Sequence, residues 1–221
     1  MDNNKDITNM IILTGKIIKA EKAQVNNNFV NNIVLYVERD LKDKIFKEYY
    51  NVEYWNKDVE VGKDVKVVGK LVQDMWEKEG KKHYMIKIVA DNIEDNKDLE
   101  KINKIIIAGN AIKVDSRAEG KVISITLAHE YYKNTNKEYK EKKVSYIEIT
   151  KFNNEEEKKT PLLYEKGKRY EVLGKIRNDI YEYEGKKNNK ISIVAENIAE
   201  ISIDNIQKEN VKKNKNMEIS I

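Results

Sequence analysis

The residues most suggestive of chemistry form a glycine–lysine phrase that occurs twice, GKDVKVVGKL at 62–71 and GKRYEVLGKI at 167–176. A phosphate-binding loop needs four residues between its glycines and a serine or threonine after the lysine. Both copies instead have six residues between the glycines, and the residue after the lysine is Leu71 or Ile176. Neither copy is therefore a P-loop, and neither predicts nucleotide hydrolysis.

Other catalytic and metal-binding residue types are sparse. The chain has no cysteine, which excludes disulfides and thiolate zinc sites. Its two histidines, His83 and His129, have no second ligand at metal-binding spacing. The glutamate run at 155–157 could ligate a divalent cation, but consecutive glutamates in a polar segment are typical of a solvated surface. No Ser–His–acid arrangement or nucleophile elbow can be read either, so we expect no enzyme, metal or cofactor.

The composition is that of a globular chain with a heavily charged surface. Its 221 residues are 40% apolar and 36% charged, with a formal net charge of +4. Residues 1–100 carry a net −2 and residues 101–203 a net +5, which permits a polyanionic partner without requiring one. No apolar run approaches the roughly 18 residues of a membrane span. The polar start, MDNNKDITNM, lacks the pattern of a signal peptide. We expect a cytoplasmic protein with no membrane partner.

The chain contains an internal repeat. Residues 71–94 align with 176–199 without a gap, and 12 of the 24 positions are identical. Two blocks further upstream also match, YYNVEYWN with YIEITKFN and MIILTGKIIK with KIIIAGNAIK. Because the blocks keep their order and only the loops between them differ in length, the sequence indicates a tandem duplication.

Each matched block has the pattern of a β-strand, with alternating apolar positions and many β-branched residues. The Glu-Gly-Lys triplets at 79–81 and 184–186 predict hairpin turns in which glycine takes a positive φ. Four further glycines fall inside strand patterns, where glycine suggests a bulge or a sharp bend of a small barrel. They are Gly15 and Gly69 with their counterparts Gly109 and Gly174.

Each copy therefore has about five strands, with a short helix or loop between the third and fourth strands. This count fits a five-stranded Greek-key barrel. We predict an all-β chain of two tandem barrels joined by a short polar linker. The expected boundaries are 1–95 for the first domain, 96–101 for the linker, 102–203 for the second domain and 204–221 for a basic tail.

The ordered blocks resemble the bacterial single-stranded DNA-binding proteins, whose core is an oligonucleotide-binding (OB) fold. In the first copy the series is MIILTGKI, IVLYVERD, VEYWN, VGKDVKVVGKL and, after a hairpin, YMIKIVADNIE. It covers nearly all of residues 9–94, and a weaker version covers 103–201. No single block is specific, but five blocks in order, twice, are hard to obtain by chance.

The resemblance implies a set of aromatic residues that stack on bases. Trp55 stands where the third strand of the family offers a stacking ring, with Phe152 as its counterpart, and Trp76 stands where the hairpin leaves the barrel. The complete aromatic set is Tyr49, Trp55 and Trp76, with their counterparts Tyr146, Phe152 and Tyr181. Tyr49 and Trp55 are six residues apart, which places them on one face of a strand. The alternative is that these rings belong to the core or to cross-strand pairs.

Basic residues at matched positions are candidates for contact with phosphates. Arg39 ends the second strand, where the family has a basic residue. The other candidates are Lys70, Lys175 and the hairpin lysines Lys81, Lys82, Lys186 and Lys187. A lysine beside a turn is commonly just solvated, and only the recurrence favours binding. The first copy holds both tryptophans and the second is more basic, which suggests stacking in one and electrostatics in the other.

The resemblance implies a protein that coats single-stranded DNA of any sequence in replication, recombination and repair. Two barrels per chain resemble the family form that reaches four barrels as a homodimer. The basic end, QKENVKKNKNMEISI, departs from the usual acidic tip and puts recruitment of repair proteins in doubt. The alternative function is an OB-fold interaction module, such as a primosome or recombination mediator or an RNA-binding protein, without general coating activity.

Overall fold

The computed structural model describes residues 9–41, 44–78, 80–136, 139–154, 164–183 and 186–201, with the side chains of 78, 82, 132–141 and 180–188 excepted. The tail and the glutamate run at 155–157 lie outside these ranges. The described chain contains ten strands. They are β1 (Asn9–Val25), β2 (Asn28–Leu41), β3 (Lys44–Trp55), β4 (Asp64–Lys78), β5 (Lys81–Asp95), β6 (Asn103–Arg117), β7 (Val122–Asn136), β8 (Tyr139–Phe152), β9 (Arg169–Tyr183) and β10 (Lys186–Glu200).

The strands close into two five-stranded barrels, as the repeat predicts. In the first barrel the order is β1-β2-β3-β5-β4, and β4 returns to β1. The pairing is antiparallel except between β3 and β5, which run parallel. The second barrel has the same order from β6 to β10, with β8 and β10 parallel. The segment between β3 and β4 is a turn and loop, so of the two predicted possibilities the loop is present in the first copy.

A ladder between β1 and β6 joins the two barrels. Asn9 pairs with Ile107 and Leu13 pairs with Asn103, so the two strand starts run antiparallel. Two asparagines at equivalent positions reinforce the junction. Asn9 exchanges two hydrogen bonds with the backbone of Leu71, at 2.8 and 3.0 Å, and Asn103 does the same with Ile176 at 2.9 and 3.0 Å. The barrels are therefore related by an approximate twofold axis through this ladder.

The core follows from the period-2 pattern of the strands. Inward positions such as Leu13, Leu35, Val52 and Ile88 are fully or almost fully buried. The same positions of the second barrel are equally apolar, and the two interiors belong to one cluster of buried residues. The outward positions of each strand stay available for other contacts.

The strand glycines allow the close approaches that close each barrel. A Cβ on Gly69 would overlap the carbonyl oxygen of Val89 and lie 2.9 Å from the Cα of Ala90. The β4–β5 register also shifts between Val68 and Gly69, as the bulge prediction requires. Gly174 has the equivalent contacts with Val194 and Ala195. Gly80 lies in the hairpin turn with φ of 73°, which confirms that prediction for the first copy, whereas Gly185 lies outside the described residues.

We predict that Gly69→Ala destabilises the chain by about 1–3 kcal/mol, the usual cost of forcing an extra carbon into packed surroundings. Urea unfolding should show a lower midpoint with an unchanged slope. Lys104→Ala, at an exposed strand position, is the control and should change stability by less than about 0.5 kcal/mol. An unchanged midpoint for Gly69→Ala would contradict the close approach.

Candidate nucleic-acid interface

The outer face of β3 carries two exposed aromatic rings. Side chains alternate along this strand, so Tyr50 and Val52 point into the barrel and Tyr49 and Trp55 point outward. Trp55 is 38% exposed and Tyr49 is 40% exposed. These rings are therefore on one face, as their six-residue spacing predicts, and outside the core.

The second barrel repeats this arrangement on β8. Tyr146 and Phe152 are exposed, while Ile147 and Ile149 between them are fully buried. The core half of the alternative therefore does not hold for Tyr49, Trp55 or their two counterparts, whereas Tyr49 does form a cross-strand pair, with Tyr36. Large apolar rings that remain in water at matched positions of both barrels are the main feature of this surface.

Tyr36 on β2 is part of the same surface, although the sequence reasoning did not single it out. It pairs across the strands with Tyr49, and the ring centroids are 5.6 Å apart at 47°. Its hydroxyl donates to Glu38 Oε1 at 2.7 Å, and this bond is the main cause that raises the pKa of Tyr36 to about 12. The residue opposite Tyr146 in the second barrel is Ala128, so the double ring belongs to the first barrel.

The hairpin of β4 and β5 presents Trp76. This side chain is 45% exposed and stacks on His83, with ring centroids 5.5 Å apart and planes 16° apart. The neighbouring pair, Met75 and Tyr84, lies on the opposite face of the hairpin and is also exposed. The side chain of Tyr181, the counterpart of Trp76, lies outside the described part of the chain.

Two of the predicted lysines lie at the surface in ion pairs. Lys70 is 3.9 Å from Asp91, and Lys175 is 2.6 Å from Glu196, both at the β-bulges. Exposed pairs of this kind contribute about 0–1 kcal/mol, so a phosphate can replace the carboxylate at little cost. Lys81 is exposed in the hairpin. The side chains of Lys82, Lys186 and Lys187 lie outside the described residues.

Arg39 is held in a structural contact. Its Nε lies 2.9 Å from Oε1 of Glu48, a carboxylate that is only 3% exposed, and its guanidinium lies over the Phe46 ring at 4.7 Å. The Tyr50 hydroxyl donates to the other carboxylate oxygen at 2.8 Å. Burial, followed by the charge of Glu48, raises the pKa of Tyr50, so the hydroxyl remains a donor.

Two further cations on the outer surface were not anticipated from the sequence. Lys87 on β5 is buried and forms ion pairs with Glu53 and Asp74. Burial lowers the pKa of Lys87, but the hydrogen bonds to Asp74 and Glu53 outweigh it and raise the pKa overall. In the second barrel Arg177 lies 2.5 Å from Asp179. The two partners of Lys87 lie on β3 and β4, so no local sequence signal marks that cluster, whereas the partner of Arg177 is two residues further along β9.

Among the described residues, neither histidine belongs to a cluster that could hold a metal ion. His129 is buried, and its Nδ1 is 2.7 Å from the carbonyl oxygen of Ala108. Burial lowers its pKa. Within the described ranges no group of three or more histidine or carboxylate side chains is placed to hold a metal ion. No helix in those ranges has the length and apolarity needed to cross a bilayer.

The pair of OB barrels and their exposed aromatic faces define the class of the protein. The model of the single-strand binding protein family matches residues 8–95 and again residues 102–201. The chain therefore belongs to this family, with two copies of the family domain. In a comparison with curated proteins, none matches the chain.

Solved structures agree with this assignment at the level of the fold. The wild-type single-stranded DNA binding protein from Thermus aquaticus is 17% identical, with a TM-score of 0.64, and the match covers 88% of this chain and 93% of that one. A deletion mutant of the same protein is 18% identical, with a TM-score of 0.65 and coverage of 88% and 94%. At this identity the likeness concerns the two-barrel fold.

We predict that Arg39→Met destabilises the chain by about 3 kcal/mol, because it leaves the Glu48 carboxylate buried without its cation. Urea unfolding at neutral pH measures the loss. The double variant Arg39→Met/Glu48→Gln should recover most of the stability, since no unpaired charge stays buried. If Arg39→Met proves as stable as the parent, the guanidinium is not committed to Glu48 and is available to another ligand.

Proposed function

We propose that the protein binds single-stranded DNA without sequence preference, on the outer faces of its two barrels. The observation that carries this proposal is the repeated pair of exposed rings, Tyr49 and Trp55 in one barrel and Tyr146 and Phe152 in the other. Every base has a π-face, so stacking tolerates any sequence and contributes about 1–3 kcal/mol per base. The family membership and the name of the Thermus protein support the same ligand.

Cations on the surface of the two barrels would follow the phosphate backbone. Lys81 and Lys175 are exposed and Lys70 is half-exposed. Lys70 and Lys175 can each exchange a surface carboxylate for a phosphate. Binding should weaken with salt, at a log–log slope of about −0.7 for each phosphate contacted. Such a protein would protect strands exposed during replication, recombination and repair in the cytoplasm.

The two barrels would contribute differently. In the first barrel, Tyr36, Tyr49 and Trp55 lie on the outer surface and Trp76 lies on the hairpin. The second replaces Trp55 with Phe152 and Tyr36 with Ala128, and carries Arg177 on its outer face. We infer stronger stacking in the first barrel and a larger electrostatic share in the second. Exchanging Trp55 and Phe152 with no change in affinity would contradict this division.

A homodimer with four barrels would raise avidity, because a strand bound by one chain meets the next at high effective concentration. Sedimentation equilibrium of the full chain measures this directly. A mass near twice 25.9 kDa is expected, and a monomer at all concentrations would contradict it.

We predict that poly(dT) quenches the tryptophan fluorescence and that salt reverses the effect. The chain has only two tryptophans, so the signal reports on Trp55 and Trp76 of the first barrel. Trp55→Ala and Trp76→Ala should each weaken binding by about 1–3 kcal/mol, the usual loss for a stacked base.

Tyr84→Ala is the matched control for Trp76→Ala, because it removes an exposed ring from the other face of the same hairpin. It should leave the affinity unchanged. The proposal fails if the parent chain neither binds nor shows quenching, and the assignment of Trp76 fails if Tyr84→Ala weakens binding equally.

A further inference from the structure

The barrels also touch away from the β1–β6 ladder, through polar groups on β4 and β8. Gln73 of the first barrel accepts, at Oε1, a hydrogen bond from the backbone N–H of Tyr146 at 3.0 Å. The Gln73 N–H donates to the hydroxyl of Ser145 at 3.0 Å. Ser145 is fully buried and also hydrogen-bonds the Tyr131 hydroxyl. This contact attaches the first barrel to the strand that carries an exposed ring of the second.

The equivalent contact on the other side of the twofold axis runs between β9 and β3. Asn178, which occupies the position of Gln73 in the second copy, donates from Nδ2 to the carbonyl oxygen of Tyr49. The adjacent Tyr50 hydroxyl lies 3.3 Å from the carbonyl oxygen of Ile176. Each barrel therefore holds the backbone of the other barrel's exposed tyrosine with one side-chain amide.

These contacts restrict a motion that the ladder leaves available. A short two-stranded ladder at the axis can twist, as two-stranded ribbons commonly do. The apolar contact around it is non-directional. Hydrogen bonds away from the axis are directional, and Asn178 is only 8% exposed, so a rotation would leave a buried amide without a partner.

We propose that Gln73 and Asn178 are positioning residues that hold the two aromatic faces at a fixed distance and angle, so that one DNA strand can contact both. The inference rests on the proposed function. Neither residue needs to touch the nucleic acid. Each fixes the main chain at Tyr146 or Tyr49, so the distance and angle between the two sets of rings are set before the strand arrives.

The length of the DNA ligand distinguishes a positioning role of Gln73 and Asn178 from direct contact with the DNA. An OB fold covers about 4–16 nucleotides, so an oligo(dT) of roughly 8 occupies one barrel and one of roughly 30 bridges both. Bridging depends on how well the second face is placed once the first is occupied. Loss of the fixed arrangement of the two faces should therefore lower the affinity for the long ligand and leave the affinity for the short ligand unchanged.

The test uses Gln73→Met and Asn178→Leu, singly and together, in the full chain. Both replacements keep the approximate size of the side chain and remove its hydrogen bond. We expect the double variant to bind the 30-nucleotide ligand about tenfold more weakly, with the 8-nucleotide affinity unchanged. Asn92→Leu, at an exposed position of β5, is the matched control and should change neither affinity.

Gln73→Glu provides a second comparison, because it keeps an oxygen that accepts from the Tyr146 N–H. Its added negative charge should lower the affinities for both ligands by a similar factor, so the ratio of the affinity for the long ligand to that for the short ligand is preserved. Because Gln73 is only partly buried, we expect Gln73→Met to fold. If the Asn178 variants do not fold, the affinities of Gln73→Met for the long and short ligands are compared instead.

The outcomes are distinct. A parent chain that binds neither ligand overturns the proposed function itself. A parent chain that binds both, with variants that retain the long-to-short ratio, overturns the positioning role and leaves the function intact. A selective loss for the long ligand supports it.

Discussion

The antiparallel ladder between β1 and β6 is the constraint on which the rest of the arrangement depends. It places Ile11 opposite Ile105, which are equivalent positions of the two copies, and so creates the approximate twofold axis. An isologous contact of this kind is self-complementary, since each surface meets its own counterpart. Asn9 and Asn103 extend it to the fourth strand of each barrel through paired backbone hydrogen bonds. The ladder therefore sets which surfaces of the two barrels face each other.

The symmetry is broken where the two copies have diverged chemically. In the first barrel Glu48, Arg39 and Tyr50 form a buried charged cluster that reaches the second barrel. The second barrel has Ser145 at the position of Glu48 and Ile147 at that of Tyr50. Burying an ion pair has a high desolvation cost, and removing one partner of a buried pair is strongly destabilising. The first barrel therefore has a charged cluster whose Tyr50 hydroxyl contacts the second barrel, and the second barrel has uncharged side chains at the positions of Glu48 and Tyr50.

The sequence predicts the elements well because their signals are local. Period-2 alternation, the repeat and the interior glycines define the strands, the barrel class and the outward faces of Tyr49 and Trp55. The features that the sequence did not predict depend on partners that are far away in the sequence. The Arg39 partner lies across a hairpin, Lys87 joins three strands, and the contact of Gln73 with Tyr146 spans the two copies. Pairing between β1 and β6 has no local signal, since any exposed strand edge offers the same donors and acceptors.

Fusion of the two copies into one chain explains why the interface can be asymmetric in detail. In a dimer of identical subunits one residue must serve in both halves of an isologous contact. Here Gln73 accepts from a backbone N–H, whereas Asn178 donates to a backbone carbonyl. The two amides therefore make hydrogen bonds of opposite direction, which one residue serving in both halves of a symmetric contact would not do. In the same way, the first barrel can hold both tryptophans while the second is the more basic. The residues of the two faces can differ because they belong to separate segments of one chain, and the β1–β6 ladder joins the two barrels in either case.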